Sequence, residues 1–186
     1  IIITALYNVE DWIELNFRSV ISQDYDGQWE WYIVDDMSTD STTERLKKLV
    51  EPYDNIHLIV NEEKGYCPYN LFKAINAANP KDEDVIITLD GDDWLYNKKV
   101  LSIVAAIYDE HNCWLTYGSY IDFPAMVPGT SNGTYTQDVI EEGKFRQFQY
   151  SLIDYRYVRD CFNNLNMDYC LFNIPPAFIY KSKNIN

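Results

Sequence analysis

From residue 1 to about residue 118, short apolar runs alternate with stretches of helical periodicity. Ile1-Ile2-Ile3-Thr4-Ala5-Leu6-Tyr7 is an apolar, β-branched run and predicts a strand buried on both faces. It breaks at Asn8, an N-cap residue type, after which Ile13, Phe17, Val20 and Ile21 recur at helical spacing. Turn chemistry over 22–27 leads to Glu30-Trp31-Tyr32-Ile33-Val34, a second strand that stops on Asp35-Asp36. Residues 38–44 supply several capping types, among them a Ser41/Glu44 capping box, ahead of a helix carrying Leu46, Leu49 and Val50 that Pro52 ends. Ile56-His57-Leu58-Ile59-Val60 predicts a third strand. Pro68 then stands as the first residue of a helix with Leu71, Ile75 and Ala78 on its apolar face, closed by Asn79-Pro80. Val85-Ile86-Ile87-Thr88-Leu89 predicts a fourth strand, Val100, Val104 and Ile107 a fourth helix, and Cys113-Trp114-Leu115-Thr116-Tyr117 a fifth strand.

Strands that alternate with helices at this spacing form βαβ units, so the fold class is α/β, a mostly parallel sheet flanked by helices. Right-handed crossovers put the C-terminal ends of all its strands on one edge. Tyr7-Asn8, Asp35-Asp36 and Asp90-Gly91-Asp92-Asp93 therefore converge where open α/β sheets bind ligands. Beyond Tyr117 the pattern weakens. Residues 124–133 read as a loop, 137–153 and 154–163 as helices, and the last twenty residues carry no period. No repeat or linker divides the chain, so residues 1–186 are expected to form a single domain, with 119–186 its less regular part.

Composition narrows the partners. A formal charge of −14 leaves no basic stripe for nucleic acid. Cys67, Cys113, Cys161 and Cys170 show no CxxC spacing, so neither zinc nor disulfide exchange is signalled, and reduced core residues are expected. His57 and His111 have no cysteine partner nearby, and the sequon Asn132-Gly133-Thr134 decides nothing. No apolar run reaches the roughly twenty residues that span a bilayer. A chain opening inside a strand is expected to be preceded by further residues, and a cytoplasmic location, or the cytoplasmic face of a membrane, is the expectation.

The chemistry concentrates at Asp90-Gly91-Asp92-Asp93-Trp94. Three carboxylates at the end of a buried strand repel one another unless a cation joins them. Oxygen-only ligands point to Mg²⁺ or Mn²⁺, held by one or two carboxylates and completed by substrate phosphates; the alternative is an acidic surface turn. Other α/β chemistries fit less well. No G-x-G-x-x-G follows the first strand, no P-loop exists, and an EF-hand reading puts Leu101 where the loop needs Glu. In phosphatases resembling the haloacid dehalogenases, the Asp-x-Asp pair is expected on the first strand, not the fourth.

Three motifs in order carry a resemblance to the family 2 glycosyltransferases and their GT-A fold. The opening strand ends in Tyr7-Asn8, with Glu10, Ser19 and Gln23 following; Val34-Asp35-Asp36-Met37-Ser38-Thr39-Asp40-Ser41-Thr42 is similar to the family's Val-Asp-Asp-x-Ser-Thr-Asp-x-Thr signature; Leu89-Asp90-Gly91-Asp92-Asp93 resembles its strand-end DxD box. The resemblance covers residues 1–118 and implies that they form the nucleotide-sugar-binding half, with 119–186 an acceptor-side or truncated region. It implies that Thr4, Tyr7 and Glu10 line the base and ribose pocket, that Asp36 contacts the nucleobase, that Asp90 serves the ribose, and that Asp92 and Asp93 bind Mn²⁺ or Mg²⁺. The implied reaction is inverting transfer of a sugar, from a UDP-sugar first of all, to an unknown glycan, protein or lipid acceptor. The family's opening proline is missing at Ala5-Leu6, and Met37 stands at a usual glycine.

The general base is not identified. Asp138, Glu141, Glu142, Asp154, Asp160 and Asp168 are available, and each reads as a solvated helix acid. Trp94 suits sugar stacking and core packing equally, while Tyr150, Tyr155, Tyr157 and Tyr169 read as a half-buried helix face. Lys64-Gly65 and the helix start at Pro68 are further candidates to approach the donor. Two alternatives stand beside this reading: a catalytically incomplete nucleotide-sugar-binding module, and a sugar-1-phosphate nucleotidyltransferase. The latter would be expected to carry glycine and basic residues in the loop after the first strand, and residues 7–12 contain none.

Overall fold

The computed structural model of the chain describes residues 1–111, 115–117, 120–128, 152–154, 171–173 and 179–182. The expected alternation is there: β1 (Ile2–Leu6), α1 (Ile13–Ile21), β2 (Trp31–Asp35), α2 (Thr42–Val50), β3 (Ile56–Val60), α3 (Tyr66–Ala78) and β4 (Val85–Thr88). A short β5 (Trp94–Leu95) precedes α4 (Val100–Glu110) and β6 (Leu115–Tyr117). Then come β7 (Tyr120–Phe123), β8 (Val127–Pro128), β9 (Leu152–Asp154), β10 (Leu171–Asn173) and β11 (Ile179–Ser182).

The larger sheet has the order β10-β6-β9-β4-β1-β2-β3. β1 lies at its middle, parallel to β2, with Ile2 opposite Trp31 and Leu6 opposite Asp35, and parallel to β4, with Ile2 opposite Ile87. β3 continues the parallel set beside β2. Four consecutive parallel strands thus end on one edge, as the crossover argument requires. A smaller sheet, β5-β11-β7-β8, sits apart from it.

The two-residue alternation of each strand divides the core in two. Ile2, Trp31, Ile33 and Ile87 meet Ile13, Phe17 and Val20 of α1, Leu46 of α2 and Val100, Leu101 and Val104 of α4. On the other face Ile3, Tyr32, Val34 and Ile86 meet Ala74, Leu71 and Ile75 of α3. The sheet is therefore covered on both faces, which is why β1 and β2 read as continuous apolar runs.

Several local expectations are corrected. Asn8 is not a helix cap: it adopts φ 52°, and α1 begins only at Ile13. The Ser41/Glu44 box does not form, because the Ser41 N–H that Glu44 would accept donates to Glu10 Oε2 and Glu44 pairs with Lys48 instead. α3 starts at Tyr66, so Pro68 lies third in the first turn, where its missing N–H is equally harmless. Residues 152 and 153 belong to β9, not to the helix expected over 137–153, and the final twenty residues contribute β10 and β11. Within the loop expected at 124–133, Val127–Pro128 pairs with β7 as a hairpin. The rest of both predicted tail helices, and the four tail tyrosines, lie outside the described residues.

Candidate functional site

Where β1 and β2 leave the sheet, their loops are stitched side by side. The Asn8 N–H donates to Ser38 Oγ (2.9 Å), and the Asn8 amide both donates to Thr39 Oγ1 (3.2 Å) and accepts from the Thr39 N–H (2.8 Å). The Val9 N–H donates to Thr42 Oγ1 and the Glu10 N–H to Asp40 Oδ2, while Glu10 Oε2 accepts from the Ser41 N–H. The Ser-Thr-Asp-Ser-Thr run therefore holds the Tyr7–Glu10 segment in place. Met37 turns this loop at φ 61°, in the left-handed region that glycine adopts at least cost.

Asp35, the last residue of β2, and Asp36, just after it, turn to opposite faces of the sheet. Asp35, fully buried, accepts from the Ser38 N–H and from Thr43 Oγ1 on the α2 side. Asp36 turns toward α3. Its Oδ1 accepts from Asn61 Nδ2 (2.9 Å) and the Gly65 N–H (2.7 Å), and its Oδ2 from the Tyr66 N–H (3.0 Å). Burial alone would push this carboxyl up, but the bonds from Gly65, Asn61, Asn70 and Tyr66 outweigh it and hold the pKa down at about 2. Lys64 Nζ lies 4.0 Å from Asp36 Oδ2 and 2.7 Å from the centroid of the Tyr7 ring, a cation–π contact at the end of β1.

The acid turn after β4 crosses the end of β1. A side chain at Gly91 would put Cβ 2.4 Å from Leu6 Cβ, so only glycine fits there. From the other side, Asn16 of α1 donates its amide to the Asp90 carbonyl (3.0 Å) and the Asp93 carbonyl (2.6 Å). Further along α1, Ser19 Oγ accepts from the Leu95 N–H, and just past the helix Gln23 donates to the Asn97 carbonyl and accepts from the Leu101 N–H. Trp94 is packing: its ring stacks on Trp12 at 6.0 Å and 12°, with Phe123 edge-on to both.

Between these segments lies a cleft of about 560 Å³, lined by Tyr7, Glu10, Asp40, Cys67, Asp90 and Asp92 among others. Cys67 is an exposed free thiol there and not the core residue expected. Burial first, then the charge of Asp90, push its pKa up, which sets the first turn of α3 within electrostatic reach of the acid turn.

The sequence matches Glycosyl transferase family 2 over residues 1–165. The chain belongs to this family. The match extends past residue 118, where the motif resemblance stopped. A teichuronic acid biosynthesis glycosyltransferase of Bacillus subtilis (strain 168), TuaG, is 31% identical over 119 residues, which is 64% of this chain and 45% of TuaG. The crystal structure of S. aureus TarS 1–349 with UDP-GlcNAc superposes at a TM-score of 0.78 and 20% identity, covering all of this chain and 58% of that one. The mannosyltransferase PcManGT of Pyrobaculum calidifontis, with GDP-Man and Mn²⁺, gives 0.62 at 14%, covering all of this chain and 56% of that one. The chain thus spans about half the length of these relatives, and it has the GT-A fold.

Within this family fold, Tyr7, Glu10, Asp90 and Asp92 share the cleft. Thr4 does not reach it: it is fully buried, and its hydroxyl accepts from Trp31 Nε1. Asp36 lies behind Lys64 and Gly65, and Asp93 is buried beneath the turn. Among the described residues no group of three or more acids, histidines or cysteines is arranged to hold a metal by itself. Asp90 and Asp92 on an open cleft fit a Mg²⁺ or Mn²⁺ ion completed by substrate oxygens, and not a cage made wholly of protein. Of the acids considered as base, Asp154 alone is described. Its register opposite Val85 puts it at the start of β4, away from the acid turn. The residue that sequence reading missed is Asn16, whose signal was a polar side chain on the apolar face that Ile13, Phe17 and Val20 define.

Proposed function

We propose that this chain binds a nucleotide-sugar, a UDP-sugar first of all, through Mn²⁺ or Mg²⁺ and transfers the sugar with inversion to a glycan, protein or lipid acceptor. The observation that carries this reading is the convergence of Asp90 and Asp92 with Tyr7 and Glu10 on one cleft at the C-terminal edge of a parallel sheet. The nucleoside lies toward Tyr7 and Glu10, and the diphosphate toward the acid turn. A bound divalent cation would supply neutralisation of the charge that grows on the departing diphosphate. The chain's own part is to bring Asp90 and Asp92 to one cleft beside Tyr7 and Glu10, with the Lys64 ammonium held against the Tyr7 ring. A cytoplasmic site of action goes with a cytosolic pool of nucleotide-sugars.

Isothermal titration of UDP with and without Mn²⁺, on the wild type and on Asp92→Asn, tests this reading. Binding tightened by Mn²⁺ is expected in the wild type, and the tightening is expected to fall by about 10- to 100-fold in the variant. Binding that ignores both the metal and the substitution would overturn it.

A further inference from the structure

Asn16 is fully buried in the apolar face of α1. Its amide nitrogen spends both donors on the Asp90 and Asp93 carbonyls, 3.0 and 2.6 Å away, and the Asp93 N–H closes the same turn onto the Asp90 carbonyl at 3.1 Å. One side chain thus spans the segment that carries Asp92, while Gly91 seats it on Leu6 from below. The Asn16 Oδ1 is buried and has no hydrogen-bond partner among the described residues. Reversing the amide would leave two carbonyls facing an oxygen, so the orientation is fixed by its surroundings. A buried amide oxygen left without a donor is destabilising, and such exceptions in a core call for a reason other than packing.

We infer that Asn16 is a positioning residue for the acid turn: it fixes the backbone spacing of Asp90 and Asp92, and so sets how tightly their carboxylates hold a divalent cation together with the donor diphosphate. The inference rests on the functional reading above. It differs from a purely structural role, because clamping the turn acts on the metal-dependent part of binding and leaves the nucleoside contacts at Tyr7 and Glu10 alone.

The test uses Asn16→Ala and the nearly isosteric Asn16→Leu, titrated with UDP in Mn²⁺ and in EDTA. Amide exchange over residues 89–95 is followed in the metal-free chain. Expected is a Mn²⁺-dependent tightening of UDP binding in the wild type that shrinks by about tenfold in the variants, while affinity in EDTA stays within about twofold. Exchange over 89–95 is expected to speed up while that of β1 and β2 does not. A folded variant that keeps the full Mn²⁺ effect overturns the assignment of Asn16 alone. Failure of both variants to fold makes Asn16 a residue of the fold and overturns the assignment too. A wild type without any Mn²⁺ effect overturns the functional reading itself, and this inference with it.

Discussion

Asp35-Asp36 ends β2 and Asp90-Gly91-Asp92-Asp93 follows β4, both on the C-terminal edge of the sheet, yet the first pair is buried and bonded into the protein while Asp90 and Asp92 open onto the cleft. The difference lies in where the hydrogen-bond donors come from. The loop after β3 and the first turn of α3 bring Asn61, Gly65 and Tyr66 to the Asp36 carboxylate. The acid turn is held instead through its main-chain carbonyls by Asn16, and of its acids Asp90 and Asp92 line the cleft. The Asp36 carboxylate is bonded directly into the fold, whereas the turn that brings Asp90 and Asp92 to the cleft is bonded through its backbone.

The largest effect that would break this comparison is on Asp36. Asp36→Ala strands several buried donors and is expected to lower unfolding free energy by about 3 kcal/mol, against no more than about 0.5 kcal/mol for Asp92→Asn, both read from urea denaturation. A loss below about 1 kcal/mol at Asp36 would mean that its bonds are not structural. The pH dependence sharpens the same point. With a folded pKa of about 2 against an ordinary 3.8, Asp36 contributes stability that is fully present above the unfolded value and is lost as pH falls toward 2. That amounts to about 2 kcal/mol, and Asp36→Asn should flatten this part of an acid titration of stability.

Gly91→Ala follows, at about 1 to 2 kcal/mol of stability, because its Cβ would collide with Leu6 Cβ at 2.4 Å. Mn²⁺-dependent UDP binding should weaken with it as the acid turn lifts; unchanged binding would show that the turn tolerates displacement. The smallest effect is a gain. Met37→Gly relieves a side chain held at φ 61° and should stabilise by about 0.5 kcal/mol in thermal melts.

How much of this was legible in the sequence depended on the range over which each feature is decided. β1 to β4 and their helices could be read because each buries its own apolar run or stripe, a property of a few neighbouring residues. The fate of β9 could not: Leu152-Ile153-Asp154 is too short to show a period, and it is a strand because β4 and β6 offer it open edges. The acids were recognisable as a convergent set, since strand ends fix that. Their division of labour was not, because the donors to Asp36 lie 25 to 30 residues downstream. Asn16 escaped for a related reason. Its meaning depends on carbonyls 74 and 77 residues away.

The position of β9 also bears on how the molecule is made. Strand β4, at residues 85–88, meets β1 on one side, but its other neighbour is supplied by residues 152–154, and β6 waits for the same strand. During synthesis the half carrying the acid turn can assemble early, from local βα units, while its β4 edge stays unpaired until the ribosome has passed residue 154. Such non-local closure is slow, and an open central edge invites pairing with other chains. Nascent chains halted before that point should therefore be the species most dependent on chaperones, with the donor-binding edge formed but the sheet still incomplete.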